Sequence, residues 1–126
     1  MKRTFIPLAI LALAALALAV PAVQAKGGPG TRIALKSSSA YPGASGKAKF
    51  QNQGQRELEV EVEHVRRLAG KRVNFFVNST KIGSARVNGL GAAQINKRGA
   101  GFPAISAGTR IKVKTTGGAT IVAGRF

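Results

Sequence analysis

The segment QRELEVEVEHV, residues 55–65, alternates without a break: Glu57, Glu59, Glu61 and Glu63 fall on one phase and Leu58, Val60 and Val62 on the other. Successive side chains of a β-strand point to opposite faces, so a period of two sorts these residues into one wet face and one buried face. A helix would scatter both sets around its axis. The four glutamates are all the Asp and Glu this chain has, against 20 Lys and Arg. Their confinement to one strand face is therefore the feature that any fold must accommodate.

The preceding stretch, GKAKFQNQ from Gly46, alternates in the same way, with Ala48 and Phe50 on the apolar phase and Lys47 and Lys49 on the polar one. A turn at Gln53-Gly54-Gln55 would set Phe50 opposite Leu58, which brings Lys49 opposite Glu59 and Lys47 opposite Glu61. Opposite charges then face each other across a hairpin. Directly opposed like charges destabilise a strand pair by about as much as opposite ones gain, roughly 0.2–1 kcal/mol, so the row reads as control of register and repulsion. A cation site built from Glu59, Glu61, Glu63 and His64 fits less well. Same-face neighbours on a strand lie nearly 7 Å apart, too far to share one ion at about 2–2.6 Å, and His64 belongs to the opposite phase. No metal site and no cofactor is expected.

The same two-residue period, punctuated by Gly and Pro, recurs over 32–36, 46–51, 72–78, 81–88, 92–96, 110–115 and 120–126. Turn residues fall at Asn78-Ser79-Thr80, Asn88-Gly89 and Gly117-Gly118, and longer crossovers are expected at 36–46 and 96–108. Short strands at this spacing predict an all-β fold, an immunoglobulin-like antiparallel β-sandwich of about 7–8 strands, with a small β-barrel as the alternative. Tyr41, Phe50, Phe75, Phe76, Phe102 and Phe126 are expected to serve as core or edge packing, in preference to a platform for stacked bases.

The first 25 residues have a different character. Lys2 and Arg3 lead into an apolar run from Phe5 to Val20, followed by PAVQA with small residues at a cleavage position. This pattern predicts a signal peptide over residues 1–25 and a single basic domain over 26–126, secreted or periplasmic. The alternative is an N-terminal membrane anchor, since the apolar stretch is just long enough to span a bilayer. Without Lys2 and Arg3, 18 basic side chains oppose 4 acidic ones, leaving +14. With no cysteine, the core must hold without disulfides.

Catalytic chemistry has few residues to draw on: one His, no Cys, no Asp and four Glu already placed in a row. No serine sits in a nucleophile elbow, and no glycine-rich turn opens a phosphate-binding helix. A non-catalytic protein is expected, with hydrolysis the remotest reading. Basicity is the stronger signal. Arg110, Lys112 and Lys114 alternate with Ile111 and Val113 as the glutamates do with their core residues, and Arg66, Arg67, Lys71 and Arg72 gather around the turn at Gly70. Lys97 and Arg98 fall in a further loop. Such stripes suit an anionic polysaccharide, a lipid headgroup or extracellular nucleic acid, with no small-molecule substrate. A structural or accessory envelope protein whose charge serves solubility is the alternative.

The stretches GKAKFQNQGQRELEVEVEHV, AGKRVNFFVNSTKIGSARVNGLGAAQIN and GAGFPAISAGTRIKVKTTGGATIVAGRF together resemble small exported bacterial domains of immunoglobulin-like β-sandwich type that have no assigned activity. That resemblance implies a scaffold and carries over no functional residue. Such domains bear more acidic residues on their later strands, so a basic surface is what sets this chain apart.

Overall fold

A computed structural model describes residues 30–126; the expected signal peptide lies outside the described residues. Eight antiparallel strands account for most of the chain: β1 (Thr31–Ser37), β2 (Ser45–Gln53), β3 (Gln55–Glu63), β4 (Arg72–Val77), β5 (Thr80–Arg86), β6 (Ala93–Arg98), β7 (Arg110–Thr115) and β8 (Thr120–Arg125). The only helical element among the described residues is one 3-10 turn, Arg66–Leu68. The all-β expectation therefore holds.

The strands join as one hydrogen-bonded sheet in the order β5-β4-β7-β8-β1-β2-β3-β6. The sheet curls until its two edges meet, with Gly83 of β5 packed beside Ile95 of β6. This is the barrel-like arrangement named above as the alternative to two stacked sheets. Each strand sends one phase inward, except that β8 buries the consecutive Ile121 and Val122 where its register with β7 shifts. Leu35, Ala48, Leu58, Val60, Val62, Val73, Phe75, Val77, Ile82, Ala93, Ile111, Val113, Ile121 and Val122 are all buried in the shared interior. Side chains fill the inside of so small a barrel, and alternation gives polar residues to the outside.

The β2–β3 hairpin has the register that its alternation predicts, with Phe50 opposite Leu58, Lys49 opposite Glu59 and Lys47 opposite Glu61. Gln53 faces Gln55 around Gly54, whose φ of 80° is open to glycine and costly for other residues. Strand β3 ends at Glu63 because the next residue, His64, takes a φ of 64°. Asn78, at φ 55°, turns β4 into β5 in the same way, and its side-chain carbonyl accepts the backbone N–H of Arg110.

Two connections differ from expectation. Residues 38–44 form a loop between the paired neighbours β1 and β2, not a crossover. The loop is held by backbone bonds from Tyr41 to Ser38 and from Ala44 to Tyr41, with Ala44 buried beneath it. Strand β6 also continues through Lys97 and Arg98, because Arg98 pairs with Glu57 and Lys97 with Leu58 on β3. The crossover expected at 96–108 is found at 99–109, carrying the chain from β6 to β7. It inserts Phe102 as a buried plug, edge-on to Phe50 at 6.3 Å. The Arg56 guanidinium lies 4.0 Å from the Phe102 ring centre and donates to the Phe102 and Pro103 carbonyls, at 3.0 and 2.7 Å. One basic side chain therefore serves the fold at this end.

Candidate polyanion-binding face

The outward phase of the barrel divides into two walls. On β2, β3 and β6 the glutamate row meets partners from both sides. Lys47 Nζ lies 3.7 Å from Glu61, and Arg98 lies 3.5 Å from Glu57. Gln51 and Asn96 donate to Glu57, each at 3.0 Å, and Gln94 donates to Glu59 at 2.9 Å. Lys49 stands opposite Glu59 in the register, but the two form no ion pair. A depression of about 270 Å³ lined by Arg32, Lys47, Lys49, Glu59 and Glu61 carries both signs of charge.

The donors around Glu57 leave their mark on its titration. The Gln51 and Asn96 side chains, with Arg98 and Lys49 behind them, hold its carboxyl below the ordinary glutamate value. Glu61 goes the other way. Partial burial and the negative charge of the neighbouring Glu63 push its carboxyl up despite Lys47.

The second wall spans β5, β4, β7 and β8 and has no carboxylate side chain on it. Arg110, Lys112 and Lys114 project from β7 on one phase, with Ile111 and Val113 buried between them. Across to β8, Arg110 stands directly opposite Arg125 and Lys112 opposite Ala123. Across to β4, Lys112 faces Phe76 and Lys114 faces Asn74. Beyond these, Lys81 of β5 faces Phe76, and Arg86 faces Arg72. A depression of about 240 Å³ is lined by Arg110, Lys112, Ala123, Gly124 and Arg125. Among the described residues, none of these cations reaches a carboxylate.

The basic turn at 66–72 is divided by the structure. Arg72 begins β4 and joins the second wall, where it donates to Ser84 Oγ at 3.2 Å. Lys71 is exposed beside it. Arg66 and Arg67 turn instead toward the β1–β2 loop. Arg67 donates to the Ala40 carbonyl and stacks 4.3 Å from the Tyr41 ring centre. Those two arginines line a separate depression of about 200 Å³ with Tyr41, Pro42 and His64. His64 shares a hydrogen bond with Ser45 Oγ through its Nδ1 at 2.9 Å, and no carboxylate bonds to its ring among the described residues. No three His, Asp, Glu or Cys side chains among the described residues come together to hold a metal ion.

Sequence reasoning missed Arg125, Arg86, Lys81 and Phe76 as members of this wall. The signal for Phe76 was present: on a regularly alternating strand two consecutive phenylalanines point to opposite faces. Phe75 is buried and Phe76, half-buried, stands on the outer face. Its expected place in core or edge packing is thereby corrected, since β4 is paired on both sides. Arg125 and Arg86 could be placed only once the β7–β8 and β4–β5 registers were known. In comparison with known proteins, no family model matches this chain and no curated protein matches its sequence.

Proposed function

We propose that this protein is an exported, non-catalytic β-domain that binds anionic polymers or surfaces through the wall formed by Arg110, Lys112 and Lys114, extended by Arg72 and Arg125. The observation that carries this reading is the segregation of charge. All four carboxylate side chains lie on β3, while the β7–β8 wall sets arginine against arginine with no counter-charge. Opposed like charges cost stability in the free protein, and an anionic ligand would remove that cost by supplying the missing partner. Export rests on the signal-peptide pattern, and kinship with immunoglobulin-like domains rests on the sequence stretches quoted above.

The test is a salt titration of binding to duplex DNA, an acidic polysaccharide and anionic vesicles, repeated with Lys112→Glu and Lys114→Glu together. Loss of two phosphate or carboxylate contacts should make the slope of log K against log salt shallower by about 1.4 to 1.8. An unchanged slope with an intact fold rejects this wall as the site.

A further inference from the structure

Phe76 is out of place on a charged wall. The outward phase of β4 runs Arg72, Asn74, Phe76, and the ring is flanked on neighbouring strands by Lys112 and Lys81. Lys114 Nζ sits 5.0 Å from the ring centre. Neighbouring strands are about 4.8 Å apart and same-phase residues nearly 7 Å apart, so Lys81, Lys112 and Lys114 are all rooted within side-chain reach of a single aromatic ring. Asn74 and Ser84, paired side by side across β4 and β5, add an amide and a hydroxyl to the same patch. No carboxylate is within the patch to neutralise it.

An aromatic ring set among flexible cations on the outer face of a sheet is an arrangement suited to single-stranded nucleic acid. The ring takes a base by stacking, which any base can satisfy, and the cations follow the backbone. We propose that the β5–β4–β7 surface binds single-stranded polynucleotide, with a base stacked on Phe76 and adjacent phosphates held by Lys81, Lys112 and Lys114. This rests on the polyanion reading above and narrows it to one polymer. A duplex keeps its bases inside the stack, where Phe76 cannot reach a base face. An acidic polysaccharide would engage the lysines but offers the ring no π face. In the free protein Lys114 holds the ring through a cation–π contact; on binding, the base takes the ring and the ammonium passes to a phosphate.

The experiment uses the full-length protein and three probes of similar length: a thymidine oligonucleotide of roughly 16 residues, the upper range for small nucleic-acid-binding barrels, its abasic counterpart, and an acidic polysaccharide. Phe76→Leu keeps the patch apolar but removes the ring, Phe76→Tyr keeps the ring, and circular dichroism checks the fold of each. Phe76→Leu should weaken thymidine binding by roughly five- to a hundredfold and leave the abasic and polysaccharide affinities unchanged, while Phe76→Tyr binds as the parent does. Equal loss on all three probes, or no loss on any, overturns the stacking proposal while leaving the polyanion reading intact. Loss confined to the polysaccharide overturns it in favour of a sugar ligand. If Lys112→Gln with Lys114→Gln changes affinity for none of the probes, the polyanion reading falls as well.

Discussion

On β2, β3 and β6 the side chains of Glu57, Glu59 and Glu61 each have a donor or a cation at contact distance. On β7 and β8, Arg110 faces Arg125 and neither forms an ion pair with a carboxylate. Both walls rest on equally complete cores, since Val60, Val62, Ile111 and Val113 are all at most 1% exposed. The difference thus lies in the outward phase alone. A chain this basic could have spread its four carboxylates to quiet several like-charge contacts. It places them all on one strand, which gives one wall its own counter-charges and leaves the other with none from side chains.

The largest effect that would break this contrast is on binding. Reversing Lys112 and Lys114 to Glu should lower polyanion affinity by about tenfold or more at low salt. Reversing Lys47 and Lys49 to Glu changes the net charge by the same amount, so a long-range field alone would give the same loss. If the walls differ as described, the second pair costs much less affinity and costs stability instead, because it turns the Lys47–Glu61 ion pair into a repulsive one. Binding titrations and urea denaturation on the two double variants check this together, and equal affinity losses would reduce the site to net charge.

A smaller effect works in the opposite direction. Arg125→Glu replaces the like-charge pair with Arg110 by an opposite one, at a position whose side chain makes no hydrogen bond that the change would break. A gain of about 0.2–1 kcal/mol is expected, visible as a rise of a few degrees in Tm for a domain of this size. Affinity for polyanions should fall in the same variant. A protein made more stable and less able to bind would show that the arginine pair is kept at a cost to the fold.

The first wall was legible before the structure because its signal is local. Alternation assigns Leu58 and Glu59 to faces, and one glycine between two strands sets the register that places Lys49 and Lys47. Arg98 was misplaced in a loop because its partner, Glu57, lies 41 residues away in the chain. The second wall was half legible: the phase of Arg110, Lys112 and Lys114 follows from β7 itself. That β7 lies between β4 and β8 does not, and this placement is what turns Phe76, Arg72 and Arg125 into neighbours of the stripe. The sandwich was expected ahead of the barrel-like curl that the sheet adopts, for the same reason. Period-two spacing says which side chains go inward, and is silent on whether the sheet they line is stacked or curled.

The smallest expected effect separates two members of the same row by their response to acid. Glu57, held below the ordinary 4.5 by the Gln51 and Asn96 donors, binds its proton less readily folded than unfolded. It therefore adds stability above that value, which is lost as the pH falls through its depressed folded value. Glu61 is raised by burial and by Glu63, so the folded state binds its proton more readily. Its ionisation costs stability at neutral pH, and that cost is relieved as the pH falls through the raised value, before Glu57 begins to titrate. Glu61→Gln should accordingly raise the urea midpoint at pH 7 and flatten the higher part of the acid profile. Glu57→Gln should lower the midpoint at pH 7 and flatten the profile only below about pH 4.5. Both changes are small because these carboxylates remain partly open to solvent. Denaturant midpoints measured from about pH 3 to pH 7 distinguish them by sign, and matching profiles for the two variants would show that the row titrates as one undifferentiated patch.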